Sequence, residues 1–443
     1  MKTKIGEQGQ HYISFEDGEC LTSESGKVYK FLGDTEEPRD FIYHAKVLDG
    51  NKEIFIKFAY YNSDGKENQY IYSLSRENRF RFFYPYIEHV WDSFLGTDPI
   101  GQKIYAVCLE YIEGQDLEKD YKHHMKLVQE GKMTIEAFEQ RMFRHMMQLL
   151  TAVSYYMNYA PEAYLHRDLK PLNIMISKKD DSVVIVDFDC AHNEGSKGTE
   201  LGKINCDLGA SRGYTPPQIL IGKTDKISDI YSIGRIFCYW LIGKNYFKED
   251  ELKDVEDGNR EIFRPKYCQD LKIGYGLDET RFKERYRQPK YEKLHNIIRR
   301  MCGNPATGEC YEDILDVIED MKEFLWEYCG KSIKKREELL QSAYKSLLRK
   351  EYRSTKGEPI IAYRNLWKED GLRGGPLLEY TMRDILNERK EVVMKIYHIK
   401  GVVYYIPMFG KSEVIRERIG SDYEIRCGDI FTIGNLKIQF EIK

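Results

Sequence analysis

The sequence is short of the features that would place it in a special class at once. Its opening stretch, MKTKIGEQGQHYISFEDGE, has no apolar core segment, so no secretory leader is expected. The most apolar-looking runs, such as Gly401 to Phe409, are far too short to span a bilayer, and no membrane contact is expected. Ten cysteines are scattered from Cys20 to Cys427, yet no Cys-x-x-Cys pair and no Cys/His cluster at zinc spacing occurs. Reduced thiols and a cytoplasmic location are the expectation. An excess of charge is also missing. The formal net charge is −4 and the pI about 6.3, which gives no global reason to expect nucleic acid as a partner. What remains is a chain of 443 residues, 42% hydrophobic and 32% charged, with the balance of a globular protein and room for two or three domains. Its 34 tyrosines are read as amphipathic packing residues.

The most informative stretch is Tyr164 to Ile176, YLHRDLKPLNIMI. A polar loop, His166 to Asn173, carries one Arg, one Asp, one Lys and one Asn between two apolar flanks, the pattern of a site held between a helix and a strand. Downstream, VVIVDFD (Val183 to Asp189) brings a second acidic group out of a strand. These two motifs resemble the eukaryotic-like serine/threonine protein kinase family, whose catalytic loop reads His-Arg-Asp-x-Lys-x-x-Asn and whose metal loop reads Asp-Phe-Gly.

The resemblance implies a set of roles. Asp168 would orient the proton of the incoming hydroxyl, and Lys170 would reach the transferring phosphate. Asn173 and Asp187 would supply hard oxygen ligands to magnesium or manganese. Lys57, inside the apolar run IFIKFA, would hold the non-transferred phosphates of ATP, with Glu77 keeping its ammonium turned inward. By family spacing Glu67 stands too close to Lys57 and Glu88 too far for that partnership. Leu109 falls at the gatekeeper position. Glu110 and Ile112 would offer backbone groups to adenine, Met175 joins the nucleotide-contacting positions, and Asp116 is either a ribose contact or a helix N-cap. His166 and Phe188 are read as packing members of the two loops. The Asp-Leu-Lys-Pro order resembles serine/threonine rather than tyrosine kinases. The polar stretch Asp187 to Pro217, with Ser196, Thr199, Ser211 and Thr215, resembles an activation segment whose phosphate Arg167 would pair with.

The fold so implied is α+β: a bilobal protein-kinase fold with a small β-rich N-lobe and a larger helical C-lobe, plus a small all-β module at the C-terminus. Residues 1–27 are a lead-in without clear period. The kinase domain is expected over 28–328, with the N-lobe at about 28–112 and the C-lobe at about 113–328. Strand character marks Val28 to Leu32, Phe41 to Leu48 and Glu53 to Ala59, the last two joined at Asp49-Gly50-Asn51. Ser73 to Phe83 has helical spacing. Ile135, Phe138, Met142, Met146, Leu149, Val153 and Met157 mark one face of a helix that delivers the catalytic loop. Ile227 to Gly243 is apolar nearly throughout and reads as a central helix, with Asp229 bracing the loop's backbone. A helical connector fills 329–390, including a charged amphipathic helix at Ser332 to Tyr352. Period-two runs from Glu391 to the end read as strands of the accessory module. The close of that module resembles a forkhead-associated β-sandwich, although no Ser-x-x-His element precedes it, and it would bind a phosphoprotein or other regulatory partner.

Departures from the family pattern leave alternatives open. The loop LGDTEEPRD (Leu32 to Asp40) has one glycine and four acids where a glycine-rich phosphate cradle belongs. The other frame for that cradle, SESGKV at Ser23 to Val28, would misplace the later strands. Phe55 stands where the family has a small residue over adenine, and Asp189 replaces the glycine of Asp-Phe-Gly. The family's Ala-Pro-Glu reads Pro216-Pro217-Gln218, and its arginine partner falls at Gly308; losing both ends of a buried pair avoids a stranded charge. Protein substrates and serine/threonine kinase activity lead. A pseudokinase scaffold and a small-molecule kinase of related fold stand as alternatives.

Overall fold

Two apolar faces on one strand organise the first part of the chain. Ile54, Ile56 and Phe58 point one way and Phe55, Lys57 and Ala59 the other, because successive side chains alternate across a strand. In the computed structural model this strand is β6 (Lys52–Tyr60). The structure describes residues 2–5, 11–33, 42–62, 69–78, 86–159, 164–193, 213–216, 225–247, 275–332, 334–335 and 339, and the strand backbones between 379 and 439. They fall into two compact units, residues 1–82, 88–113 and 187–191 in one, and 83–87, 114–186 and 192–443 in the other.

In the first unit, β1 (Lys2–Ile5) and β2 (His11–Ser14) pair with each other. Strands β3 (Cys20–Ser23), β4 (Val28–Phe31), β5 (Tyr43–Asp49), β6, β7 (Val90–Thr97) and β8 (Lys103–Glu110) close an antiparallel barrel in the order β3-β4-β5-β6-β8-β7. The β5–β6 turn falls at Gly50, whose φ of 61° suits a left-handed position, as the Asp-Gly signal predicts. Closure occurs where Thr22 opposes Thr97 and Ser23 opposes Gly96. A Cβ on Gly96 would lie 2.2 Å from the Thr22 carbonyl oxygen, so only glycine lets these two strands meet.

The barrel interior holds Leu21, Tyr29, Phe31, Tyr43, Ile54, Ile56 and Phe58, with Phe15 stacked on Phe31 at 5.0 Å between centroids. Part of the sequence's featureless lead-in thus supplies a strand and a buried ring. Residues 23–28, one of the two frames considered for the phosphate cradle, form the β3–β4 turn. The other face of β6 is covered by α1 (Gln69–Glu77), whose Ile71 and Leu74 pack with Ala59, Val107 and Leu109. Each such aliphatic side chain contributes about 2 kcal/mol by leaving water. The helix starts four residues before the Ser73 to Phe83 stretch and ends inside it, with 79–83 outside the described residues.

The second unit is mainly helical. β9 (Gly114–Asp116) leads into α2 (Leu117–Gln129), followed by α3 (Ile135–Ser154) with a single π turn beyond it. Thr134 caps α3 by accepting the Ala137 amide at 3.1 Å. Phe138, Met142, Met146, Leu149, Val153 and Met157 are all buried, the face expected from their spacing. Short strands β10 (Tyr164–Leu165), β11 (Ile174–Ser177), β12 (Val183–Ile185) and β13 (His192–Asn193) bracket the polar loop; β11 pairs with β12 and β9, and β10 with β13. Helix α4 (Lys226–Ile242) is buried all round from Ser228, as a helix apolar on every side must be. α5 (Glu292–Met301) and α6 (Ile314–Tyr328) are the further α-helices among the described residues.

Two clusters of buried charge in this unit are paired. Arg141 of α3 grips Asp120 of α2 at 2.6 and 2.9 Å and Asp181 of the β11–β12 turn, which also takes Arg144. Glu139, fully buried, accepts from Arg285, from the Tyr291 hydroxyl at 2.6 Å and from the Tyr328 hydroxyl at 2.9 Å.

Beyond α6, the expected amphipathic helix lies outside the described residues except for isolated positions, of which Leu339 is buried. The period-two runs contain β15 (Val392–Ile399), which pairs with β14 (Glu379–Thr381) and β16 (Val402–Pro407), and a separate hairpin of β17 (Ile430–Ile433) and β18 (Leu436–Gln439). Both helices and strands are present, an α+β chain. Among the described residues no helix is long and apolar enough to cross a membrane.

Candidate active site

Lys57 sits on the α1 face of β6, and its ammonium is 2.6 Å from Glu77 Oε1 and 2.7 Å from Asp187 Oδ1. Lys57 and Glu77 are buried, whereas the Asp187 side chain is about a third exposed. Two further acids stand round this lysine. Glu88, 7% exposed, accepts the Asp187 amide at 3.4 Å, and Asp189 receives the Ser73 hydroxyl at 3.4 Å, with Arg76 donating to its carbonyl at 3.1 Å. Burial pulls the Lys57 ammonium toward neutrality, but Asp187, Glu77, Glu88 and Asp189 outweigh it and hold the charge well above the ordinary lysine range. The acids bear the opposite cost. Burial and crowding by like charge raise Glu77, push Glu88 up to about 8 and Asp189 to about 7. Lys57 and the nearby Arg76 face four carboxyls, so this pocket favours a proton or a further cation. Glu88 is no hydrogen-bond partner of Lys57, in keeping with its spacing, yet its charge acts there. A lone carboxylate just before the apolar run HVWDSFLG was the available signal.

The second cluster lies in the other unit, on the loop between β10 and β11. Asp168 Oδ2 accepts from Lys170 Nζ at 2.6 Å and Asn173 Nδ2 at 3.1 Å, and Asn173 Nδ2 also donates to the Asp168 carbonyl at 2.9 Å. With the Asn173 amide nitrogen so engaged, its Oδ1 is the atom turned elsewhere. The loop's backbone is held by Asp229 of α4: Oδ2 accepts the His166 amide at 2.6 Å and Oδ1 the Arg167 amide at 2.8 Å, while the Tyr156 hydroxyl adds 2.9 Å. That grip explains how Arg167 is kept at φ 67°, a conformation non-glycine residues rarely adopt. His166 is fully buried; its Nδ1 accepts the Asp168 amide at 3.3 Å, which leaves the Nε2 hydrogen for the Val186 carbonyl at 3.1 Å. Phe188 is buried.

The remaining positions are placed as follows. Leu109 is fully buried on β8, and the Glu110 amide is spent on the His89 carbonyl at 2.8 Å, so any offer from Glu110 to a base must come from its carbonyl. Ile112 lies in the connection after β8. Asp116 is the N-cap of α2, accepting the Lys119 amide at 2.9 Å, and it opposes Met175 across β9 and β11. Phe55 is half-buried, edge-on to His44 at 5.9 Å. Glu36 and Glu37, Ser196, Thr199, Ser211, Pro217 and Gln218 lie outside the described residues. Gly308 caps a short turn at φ 71°.

Among the described residues no three His, Cys, Asp or Glu side chains form a metal cage.

The chain is similar to "Calcium-dependent protein kinase 27" of Arabidopsis thaliana, 32% identical over 159 residues, which is 34% of this chain and 30% of that protein. It is 25% identical over 234 residues to "Serine/threonine-protein kinase PknB" of Mycobacterium tuberculosis, covering 52% of this chain and 34% of the relative. With "Serine/threonine-protein kinase tousled-like 1" of Caenorhabditis elegans it shares 27% identity over 220 residues, 47% of this chain and 22% of the relative. The chain thus spans between about a fifth and about a third of the length of these relatives. The forkhead-associated likeness of the tail finds no support in these comparisons, whose family match stops well before it. That family's pattern, described as "Protein kinase domain", matches residues 41–344, more than two thirds of the sequence, and the chain belongs to the protein kinase domain family.

Proposed function

We propose that this chain is a protein serine/threonine kinase that transfers the γ-phosphoryl group of ATP to hydroxyls of protein substrates, its own activation segment included. The observation that carries this reading is the Lys57 ammonium shared between Glu77 at 2.6 Å and Asp187 at 2.7 Å. A buried cation so held meets phosphate oxygens without reorganising, which is where electrostatic catalysis gains most. The family works with ATP and a divalent metal. Asp187 and the Asn173 Oδ1 are hard oxygen donors fitted to magnesium or manganese, and the excess of carboxyls round Lys57 supports a cation there. When bound, the metal would supply positive charge to offset that of the phosphates.

The chain's own residues do the rest. Asp168 orients the substrate hydroxyl and takes up its proton. Lys170 moves from Asp168 to the transferring phosphate as a point charge. Asp229 keeps the loop's amides fixed so that neither group must search for its place. Leu109, Glu110, Ile112 and Met175 would contact the base and Asp116 the ribose. The serine/threonine class of the relatives supports the acceptor, and the strands between 379 and 439 lie beyond the family match, where a regulatory role fits better than chemistry. Free thiols at every described cysteine fit a reducing compartment such as the cytoplasm.

The test is transfer of label from ATP to a generic protein substrate with magnesium, comparing wild type with Asp168→Ala. Transfer that drops to background in the variant supports the reading; equal labelling in both would sink it.

A further inference from the structure

Helix α1 turns three residues toward one short stretch of chain. Ser73, Arg76 and Glu77 stand at i, i+3 and i+4, positions a helix stacks on one face. Glu77 binds Lys57, whose other bond is Asp187. Arg76 Nη1 donates to the Asp189 carbonyl at 3.1 Å and the Ser73 hydroxyl to Asp189 Oδ2 at 3.4 Å. Glu88 accepts the Asp187 amide at 3.4 Å. Asp187 itself has φ 69°, a left-handed conformation that surrounding contacts must maintain.

We infer that Asp189 is a positioning residue: with Ser73 and Arg76 it ties the metal loop to α1, so that the Lys57–Glu77 pair and Asp187 assemble as one unit. A glycine at position 189 gives Ser73 nothing to bind and loosens the backbone beside Asp187. The aspartate exchanges that freedom for a strut. It therefore supports activity despite adding negative charge beside the metal ligand. The consequence for turnover rests on the kinase reading above; the tie itself does not.

The experiment uses the full chain with Asp189→Gly, Asp189→Asn, Ser73→Ala and the double variant Ser73→Ala/Asp189→Gly. Amide hydrogen exchange is followed without nucleotide. Faster exchange is expected in residues 69–77 and 187–191 together for Asp189→Gly and Ser73→Ala, with 226–242 unchanged. In phosphoryl transfer with magnesium, kcat/KM for ATP should fall about tenfold in each, KM for the protein substrate should hold, and the double variant should be no worse than Asp189→Gly. Asp189→Asn keeps an acceptor for Ser73 and should stay within about twofold of wild type. Unchanged exchange, single losses that multiply in the double variant, or an Asp189→Gly more active than wild type overturns the inference. So does an Asp189→Asn as impaired as Asp189→Gly. If wild type transfers no more label than Asp168→Ala, the kinase reading fails, and the exchange data still decide the tie.

Discussion

Single buried residues in this chain earn their place by the partners they satisfy. His145 is fully buried beside Arg141 and Arg144, and its Nε2 donates to the Asp181 carbonyl at 2.8 Å. Burial first, and then the neighbouring guanidiniums, hold its pKa below the ordinary value. The unfolded chain therefore takes up a proton near pH 6.5 while the folded chain does not, and stability falls as pH drops below that point. Urea midpoints measured at pH 7.5 and pH 5.5 should show wild type losing more than His145→Gln over that interval. Glu139 is a different case, an acid with three donors and no exposure. Glu139→Ala strands the buried Tyr291 hydroxyl and takes a partner from the half-buried Tyr328 hydroxyl. The expected loss is about 2 kcal/mol in chemical denaturation, and Glu139→Gln, which keeps the acceptor, should recover part of it. Asp229→Asn weakens the hold on two loop amides; labelled-ATP transfer should drop about 100-fold while far-UV dichroism stays unchanged.

At the scale of elements, α3 and the β11–β12 hairpin act as a frame for the polar loop. Asp181 on the hairpin turn joins Arg141 and Arg144 of α3, and Arg141 also joins Asp120 of α2. Removing one member of a largely buried ion network leaves charge unpaired. Because Asp181 itself is partly exposed, Asp181→Ala should cost about 2 to 3 kcal/mol, somewhat less than a fully buried pair, read as a shift in denaturation midpoint. How much of this was legible beforehand depends on the range of the interaction. The α3 face was readable because its packing repeats every 3.6 residues within one segment. Strand β6 was readable for the same reason, its alternation and its glycine turn being local. Strand β3 was not, because CLTS carries no strong period and its place depends on Gly96, some seventy residues away, letting it approach β7. Glu88 and Asp189 could be noticed as odd residues, but their partners Lys57, Ser73 and Arg76 are distant in sequence.

For the molecule as a whole, nucleotide and metal should act as stabilisers of the folded state. A ligand that binds only the native chain raises stability by RT ln(1 + [L]/Kd), about 2.7 kcal/mol at a hundredfold excess over Kd. Thermal denaturation with ATP and magnesium should therefore move up by several degrees, the shift should vanish on chelation, and Asp187→Asn should abolish most of it without lowering the unliganded midpoint comparably. The sequence by itself determined the family-bearing loop and the strands and helices whose periods are local, and it supplied the acid, amide and lysine positions on which the proposed site rests. Only the tertiary structure decided that Glu88 and the aspartate in place of glycine crowd round Lys57, that Asp116 caps a helix, and that a featureless lead-in closes the barrel. The physical reason is range. Periodicity and turn chemistry act over a few residues, whereas the charge balance of a buried site is fixed by which distant segments the folded chain brings within hydrogen-bond reach.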